Sequence, residues 1–349
     1  MNVLVYHIGS LGDTLVAVPA LWAIRENFPD AHVTLLTDEQ PGRVRVQVQD
    51  VLDGSGLIDD YIVYPAGRSL AMARLLLQLR AGNFDCLVYL IRAHATSRRF
   101  WRDTLFFKLA GIRRVVGMQK RSETSTVRTG FPLAPLPHMA DSLLARLRMA
   151  GLQTPPAGQG RMDVGLGKRE QDTVARWRSG LPDDGGRPWL AMGPGAKMPC
   201  KIWPAERYLA VAERLVAEYD FWPVIFGGPG EREVGEALIR KLGRGYLPAG
   251  VLGVRDSMAA MGRCALFVGN DTGTMHMAAA SGVRCVALFT SRQAPGVWYP
   301  YGEGHAVLRI PVHCEGCMLE ECGEEQMKCI RAISVEQVLQ TCQSLIKTR

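Results

Sequence analysis

Three turns in this chain, each following a short apolar run, hold residues whose types and spacing suit work on a charged or hydroxylated ligand. The first, HIGSLGD, places Gly9 and Gly12 around Ser10 and sets Asp13 at the start of an apolar helical pattern. Such glycines let the backbone approach a ligand closely, and the helix start offers N–H groups that have no partner within the helix. Asp13 has two compatible readings, a helix cap or a general base at the carboxyl end of a strand. The spacing is not G-x-G-x-x-G, so the dinucleotide fingerprint is absent. In the second turn, GPGAKMPCKIWP, Lys201 is a point charge suited to phosphate, just ahead of the helix opened by Trp203 and Pro204. The third, NDTGTMH, leads Asp271, Thr272, Gly273 and His276 into a helix of small residues, an anion site by geometry and dipole. Capping by Asp271 or Thr272, and a His276 that only satisfies local hydrogen bonds, are the plainer readings of the same residues. Between these turns, FGGPGERE puts Glu231 near a helix start, where a carboxylate suits ribose hydroxyls.

Two further groups stand apart from the turns. Cys314, Cys317, Cys322 and Cys329 follow the pattern C-x2-C-x4-C-x6-C, which meets the ligand count of a tetrahedral zinc or iron site. Reduced free thiols are the alternative, because nine cysteines in a chain of 349 residues do not make a secreted disulfide scaffold. Residues 91–130 gather Arg92, Arg98, Arg99, Arg102, Lys108, Arg113, Arg114, Lys120, Arg121 and Arg128 against only Asp103 and Glu123. The net charge of +7 therefore resides in this stretch, which suits a phosphorylated substrate or an acidic lipid surface. No nucleic-acid-binding motif accompanies it, and nucleic acid is set aside as a partner.

These residues must be positioned by the elements around them. Strands are expected at Asn2–Tyr6, His32–Leu36, Tyr61–Tyr64, Cys86–Ile91, Trp189–Met192, Trp222–Phe226, Ala265–Val268 and Val283–Phe289. Helical patterns near 14–28, 68–80, 97–110, 138–150, 168–179, 204–219, 230–242, 272–281 and 334–347 alternate with them. Strand followed by helix, repeated, means parallel sheets covered on both faces. The Gly- and Pro-rich stretch 151–165 interrupts the alternation and reads as a linker. It separates an N-terminal domain, 1–155, from a C-terminal domain, 166–333, whose Cys-rich segment is 313–329, with a last helix at 334–349. Two such doubly wound domains facing each other form a cleft, with ligands beyond the carboxyl ends of the strands. The composition, 47% hydrophobic and 21% charged, excludes disorder and fibrous repeats. No apolar run approaches the roughly 18 residues of a membrane span. The N-terminus lacks a basic region ahead of its apolar stretch, so a cytoplasmic protein is expected.

GSLGD near residue 10, PGA…K-x-W-P near 200, GGPGE near 230 and NDTGTMH near 270 occur in the order and spacing of glycosyltransferase family 9. Over essentially its whole length the sequence resembles the ADP-heptose:lipopolysaccharide heptosyltransferases of that family. The resemblance implies a GT-B fold, two Rossmann-like domains, and an inverting transfer that needs no metal for catalysis. It makes Asp13 the catalytic base on an acceptor-side loop with Gly9, Ser10 and Gly12. Lys201 falls on the donor diphosphate, Asp271, Thr272, Gly273 and His276 in the donor loop, and Glu231 on the nucleotide. An anionic lipopolysaccharide core as acceptor would account for the basic stretch, which then binds acceptor or the inner membrane's cytoplasmic face. Cysteine-rich insertions also occur in the family, and in the subgroup that glycosylates autotransporter adhesins the insertion binds iron. The alternatives are a family 9 enzyme with a protein acceptor or another nucleotide sugar, and a nucleotide-sugar-binding protein without activity.

Overall fold

The computed structural model describes residues 1–38, 46–64, 69–91, 97–119, 131–323 and 325–348. The chain divides into two compact units, Met1–Arg128 with Met139–Gly165, and Thr129–His138 with Leu166–Arg349.

The first unit is built on β1 (Asn2–Tyr6), β2 (His32–Asp38), β3 (Asp60–Tyr64), β4 (Cys86–Tyr89) and β5 (Arg114–Val116). They form one parallel sheet in the order β3-β2-β1-β4-β5. Continuous apolar runs such as Val3–Val5 and Leu87–Val88 are buried to zero exposure, as expected for strands covered on both faces. The covering helices are α1 (Leu11–Asn27), α2 (Val48–Leu52), α3 (Ser69–Ala81), α4 (Ser97–Leu109) and α5 (Met139–Met149). Strand order reverses between β1 and β4, so a ligand site in this sheet belongs just beyond their carboxyl ends.

In the second unit β6 (Trp189–Gly193), β7 (Trp222–Ile225), β8 (Cys264–Asn270), β9 (Cys285–Phe289) and β10 (Ala306–Arg309) form another parallel sheet, ordered β10-β9-β8-β6-β7. A lone parallel bridge from Tyr246 to Val224 lies beyond β7. Its helices are α6 (Lys168–Ser179), α7 (Ala205–Tyr219), α8 (Arg232–Leu242), α9 (Val254–Met261), α10 (Gly273–Ala280), α11 (Lys328–Arg331) and α12 (Val335–Lys347). Here the order reverses between β6 and β8, whose following turns are those that carry Lys201 and the NDTGTMH motif.

The units differ from the sequence-based boundaries in three respects. Residues 156–165 are not a free linker. The Trp22 indole N–H donates to the Asp163 carbonyl at 2.7 Å, the Arg161 guanidinium stacks over the Trp22 ring at 3.5 Å, and Val164 is buried, all within the first unit. Residues 131–138 belong to the second unit instead of the first, where Leu136 N–H donates to Pro295 O at 2.9 Å and His138 Nε2 donates to Tyr299 O at 2.9 Å. The last helix is no separate element, since Val338, Leu339 and Cys342 of α12 lie in the second unit's core with Trp203, Tyr208 and Leu215.

Candidate active site

The second unit gathers its chemistry around one buried asparagine. Asn270, at the end of β8, has no exposed surface. Its Oδ1 accepts from the Tyr208 hydroxyl at 2.8 Å and from Trp203 N–H at 3.2 Å. Its Nδ2 donates to the carbonyls of Pro194 at 2.8 Å and Gly195 at 3.2 Å. Fully bonded in this way, Asn270 ties the turn after β6 to the turn after β8, and the two motifs become one site. Lys201 Nζ then lies 2.6 Å from Asp271 Oδ2 and donates to the Asp271 carbonyl at 3.2 Å, with both side chains largely buried. Thr272 caps α10 in an extended conformation, its hydroxyl bonded to that of Thr274 at 2.8 Å. A cation therefore sits at a helix start whose first N–H groups lack intrahelical acceptors, an arrangement that favours an anion. Glu231 lies over the turn after β7, its Oε2 accepting Gly228 N–H at 2.7 Å. Its side chain lies so close over the turn after β6 that a Cβ on Gly195 would come within 2.0 Å of Glu231 Cγ. His276 is buried in α10, with its ring 6.4 Å from that of Trp298.

In the first unit, Ser10 caps α1 and both its N–H and its hydroxyl donate to Asp13 Oδ2, at 2.9 and 2.7 Å. The N-cap of α1 is thus Ser10 and not Asp13, which accepts from the cap out of the first helical turn, and these bonds fix its carboxylate at the switch point of this sheet. Gly9 is required by contact: a Cβ there would meet Asp13 Cβ at 2.4 Å. Two residues that the sequence reading passed over adjoin this end of the sheet. His7 follows β1, is 4% exposed, and among the described residues finds no hydrogen-bond partner for either ring nitrogen. Burial holds its imidazole below the ordinary value, against the pull of the Asp13 and Asp38 carboxylates. Arg146 of α5, likewise buried, donates to the Tyr89 carbonyl and to that of Ile91 at 2.7 Å, at the carboxyl end of β4. A polar residue directly after an apolar strand was the available signal for His7, whereas nothing local marks Arg146.

Comparison with known proteins settles the family. The family model for glycosyltransferase family 9 (heptosyltransferase) matches residues 72–328. The chain belongs to glycosyltransferase family 9. A lipooligosaccharide heptosyltransferase 2 of Campylobacter jejuni is 26% identical over 170 residues, which are 46% of this chain and 52% of that protein. The match thus spans about half the length of this curated relative. Among solved structures, a family 9 glycosyl transferase from Veillonella parvula superposes with a TM-score of 0.75 at 24% identity, covering 100% of this chain and 97% of the other. The ADP-heptose lps heptosyltransferase II of E. coli gives 0.73 at 19% identity, covering 100% and 99%. At these identities the likeness concerns the fold, and it bears out the expected α/β, GT-B class.

Elsewhere in this family 9 chain the remaining expected residues are dispersed. Arg98, Arg99 and Arg102 are exposed on α4, but Arg102 is committed to the buried Asp103 at 2.6 Å. Arg114 sits over the Phe28 ring at 5.6 Å, and Arg113 is exposed beside it. Arg92, Lys120, Arg121 and Arg128 lie outside the described residues. Cys314, Cys317, Cys322 and Cys329 line one cavity together with Cys200. Among the described residues, however, the group of metal-capable side chains with ligand atoms within 4.8 Å of one another is His313, Cys314 and Glu325. His313 and Glu325 already bond each other and Lys328. The Cys-rich segment is laid against the turns after β6 and β9: Cys200 N–H donates to Glu320 O at 3.2 Å, and Arg292 donates to Leu319 O at 2.7 Å and Met318 O at 2.6 Å. Thr290, Ser291 and Arg292 follow β9, and looking beyond the carboxyl end of that strand too would have singled them out.

Proposed function

We propose that this family 9 protein is an inverting, metal-independent glycosyltransferase that moves heptose from ADP-L-glycero-D-manno-heptose to an inner-core lipopolysaccharide acceptor. The observation that carries the reading is Lys201 held by Asp271 beside the start of α10, at the strand-order reversal of the second sheet. In the proposed step an acceptor hydroxyl oxygen attacks the anomeric carbon while Asp13 takes its proton. The bond from that carbon to the diphosphate oxygen breaks, and its electron pair leaves on ADP. Lys201 and the N–H groups at Gly273 and Thr274 stabilise the departing charge, and Glu231 takes the ribose. The centre passes through an oxocarbenium-like state, as in other glycosyl chemistry.

Two features support the setting. No helix among the described residues is long and apolar enough to cross a membrane. On α4, Trp101, Leu105 and Leu109 are exposed at helical spacing among Arg98, Arg99 and Arg102, a combination that suits peripheral contact with an anionic membrane surface on the cytoplasmic side. The Cys-rich segment is proposed to hold a structural zinc or iron through Cys314, Cys317, Cys322 and Cys329. They line one cavity, and their thiolates would supply the four sulfur ligands that such an ion takes. When bound, the ion would cross-link the segment and take no part in the transfer.

Replacing Asp13 by Asn keeps the acceptor for Ser10 N–H, so the variant is expected to melt within a few degrees of wild type. Its turnover should fall by about 10²–10⁴. Turnover within threefold of wild type would remove Asp13 from the mechanism.

A further inference from the structure

Lys201 lies in the turn after β6 between Cys200 and Trp203, each of which is fastened elsewhere in the second unit. Trp203 N–H donates to Asn270 Oδ1 at 3.2 Å, which ties that end of the turn to β8. Cys200, 4% exposed, is tied to the Cys-rich segment by two bonds: its N–H donates to Glu320 O at 3.2 Å and its thiol donates to Leu319 O at 3.2 Å. Met318, Leu319 and Glu320 stand between Cys317 and Cys322, two of the thiols that line the cavity with Cys200. Little apolar burial holds these residues, since Met318 and Leu319 are 59% and 50% exposed and Met318 takes a left-handed backbone conformation at φ 59°. Polar bonds keep their place instead. Met318 N–H donates to Arg292 O at 3.0 Å, and the Arg292 guanidinium donates back to the Met318 and Leu319 carbonyls. An exposed stretch of this kind opens readily on its own and is stiffened by whatever fixes its two ends. Cys317 and Cys322 are those ends, and Cys322 Sγ accepts Met327 N–H at 3.4 Å, a bond that suits a thiolate.

We propose that the Cys-rich segment is a metal-dependent clamp on the donor site: an ion at its four cysteines fixes residues 318–320, and Cys200 passes that constraint to Lys201. Cys200 is a positioning residue, and the ion stays away from the reacting atoms. Metal and nucleoside diphosphate then favour each other's binding, because a coupling between two sites is reciprocal. The inference rests on two readings given above, an ion at Cys314, Cys317, Cys322 and Cys329 and the diphosphate at Lys201.

The test is calorimetric titration of ADP into the protein loaded with about one equivalent of zinc, and into the same protein stripped with a chelator and dialysed. ADP should bind at least about fivefold more tightly to the loaded form, the equivalent of one hydrogen bond, and zinc affinity should rise by the same factor when ADP is bound. Cys200→Ser keeps a donor to Leu319 O and should retain that factor. Cys200→Ala should bind zinc as tightly as wild type, with the factor reduced to about twofold. Equal ADP affinity in the loaded and stripped wild type would overturn the clamp. So would an undiminished factor in Cys200→Ala, or loss of zinc there, which would make Cys200 a ligand. Wild type that takes up no zinc would remove the metal reading, and wild type that binds zinc but not ADP the diphosphate reading, each taking the clamp with it.

Discussion

The pair of Lys201 and Asp271 allows the donor-site reasoning to be tested through stability as well as binding. The ammonium and carboxylate lie 2.6 Å apart with side chains 15% and 10% exposed. Removing one partner of a buried pair costs about 3–5 kcal/mol, because the other charge is left in a poorly solvated place. The residual exposure here points to the lower end, about 3 kcal/mol. For a unit of this size each kcal/mol moves the melting temperature by roughly 2–4 °C, so Lys201→Met should melt about 6–12 °C below wild type. Methionine keeps most of the lysine's apolar stem, which isolates the charge. The double variant Lys201→Met, Asp271→Asn leaves no unpaired charge and loses only the 3.2 Å bond from Nζ to the Asp271 carbonyl, about 1 kcal/mol. It should therefore recover about 2 of the 3 kcal/mol, and with Asp271→Asn alone also costing about 3 kcal/mol, a double-mutant cycle followed by thermal melts at low salt should give a coupling of about 5 kcal/mol. The same proteins report on the ligand. Wild type at 100 times the dissociation constant of ADP should gain about 2.7 kcal/mol, Asp271→Asn should retain a shift, and both proteins lacking Lys201 should lose it. Additive melts, with coupling under about 0.5 kcal/mol, would refute the buried pair. An ADP shift that survives Lys201→Met would refute the diphosphate role.

Two other outcomes follow from the second unit. Burial pushes the Glu170 carboxyl up, but the N–H of Gly167 and the Arg255 guanidinium, each at 2.9 Å, outweigh it and bring it to about 2 from 4.5. A depressed carboxylate stabilises above its unfolded value and loses that contribution as pH falls through the folded one. The stability difference between wild type and Glu170→Gln should accordingly shrink by about 3 kcal/mol as pH falls from about 5 towards 2, and a constant difference would contradict the assignment. For the Cys-rich segment, protein purified without chelator should contain close to one equivalent of zinc plus iron, reduced in Cys314→Ser and Cys322→Ser. Less than a tenth of an equivalent in wild type would argue for free thiols.

The order of strands and helices was legible because its causes are local. Unbroken apolar runs mark the central strands, and Thr272 marks the start of α10 at its true position, whereas α1 begins at Leu11, three residues ahead of the expected start. What escaped notice was short or peripheral. Edge strand β5 has three residues with Arg114 and Val115 exposed, and β10 is half-buried throughout, so neither has the apolar continuity of a central strand. Helices α2 and α9 are likewise short. In the site, residue types at strand ends pointed to Asp13, Lys201, Glu231 and Asp271, but what Asn270 holds together depends on which groups surround it.

The sequence alone determined which residues stand at the carboxyl ends of the strands, since strand–turn–helix succession is written in periodicity and caps. Only the tertiary structure decided which of them meet. Lys201 and Asp271 are paired because Asn270 bonds two turns that the chain visits far apart. Such contacts arise from the sheet's strand order, which no local pattern of residues specifies.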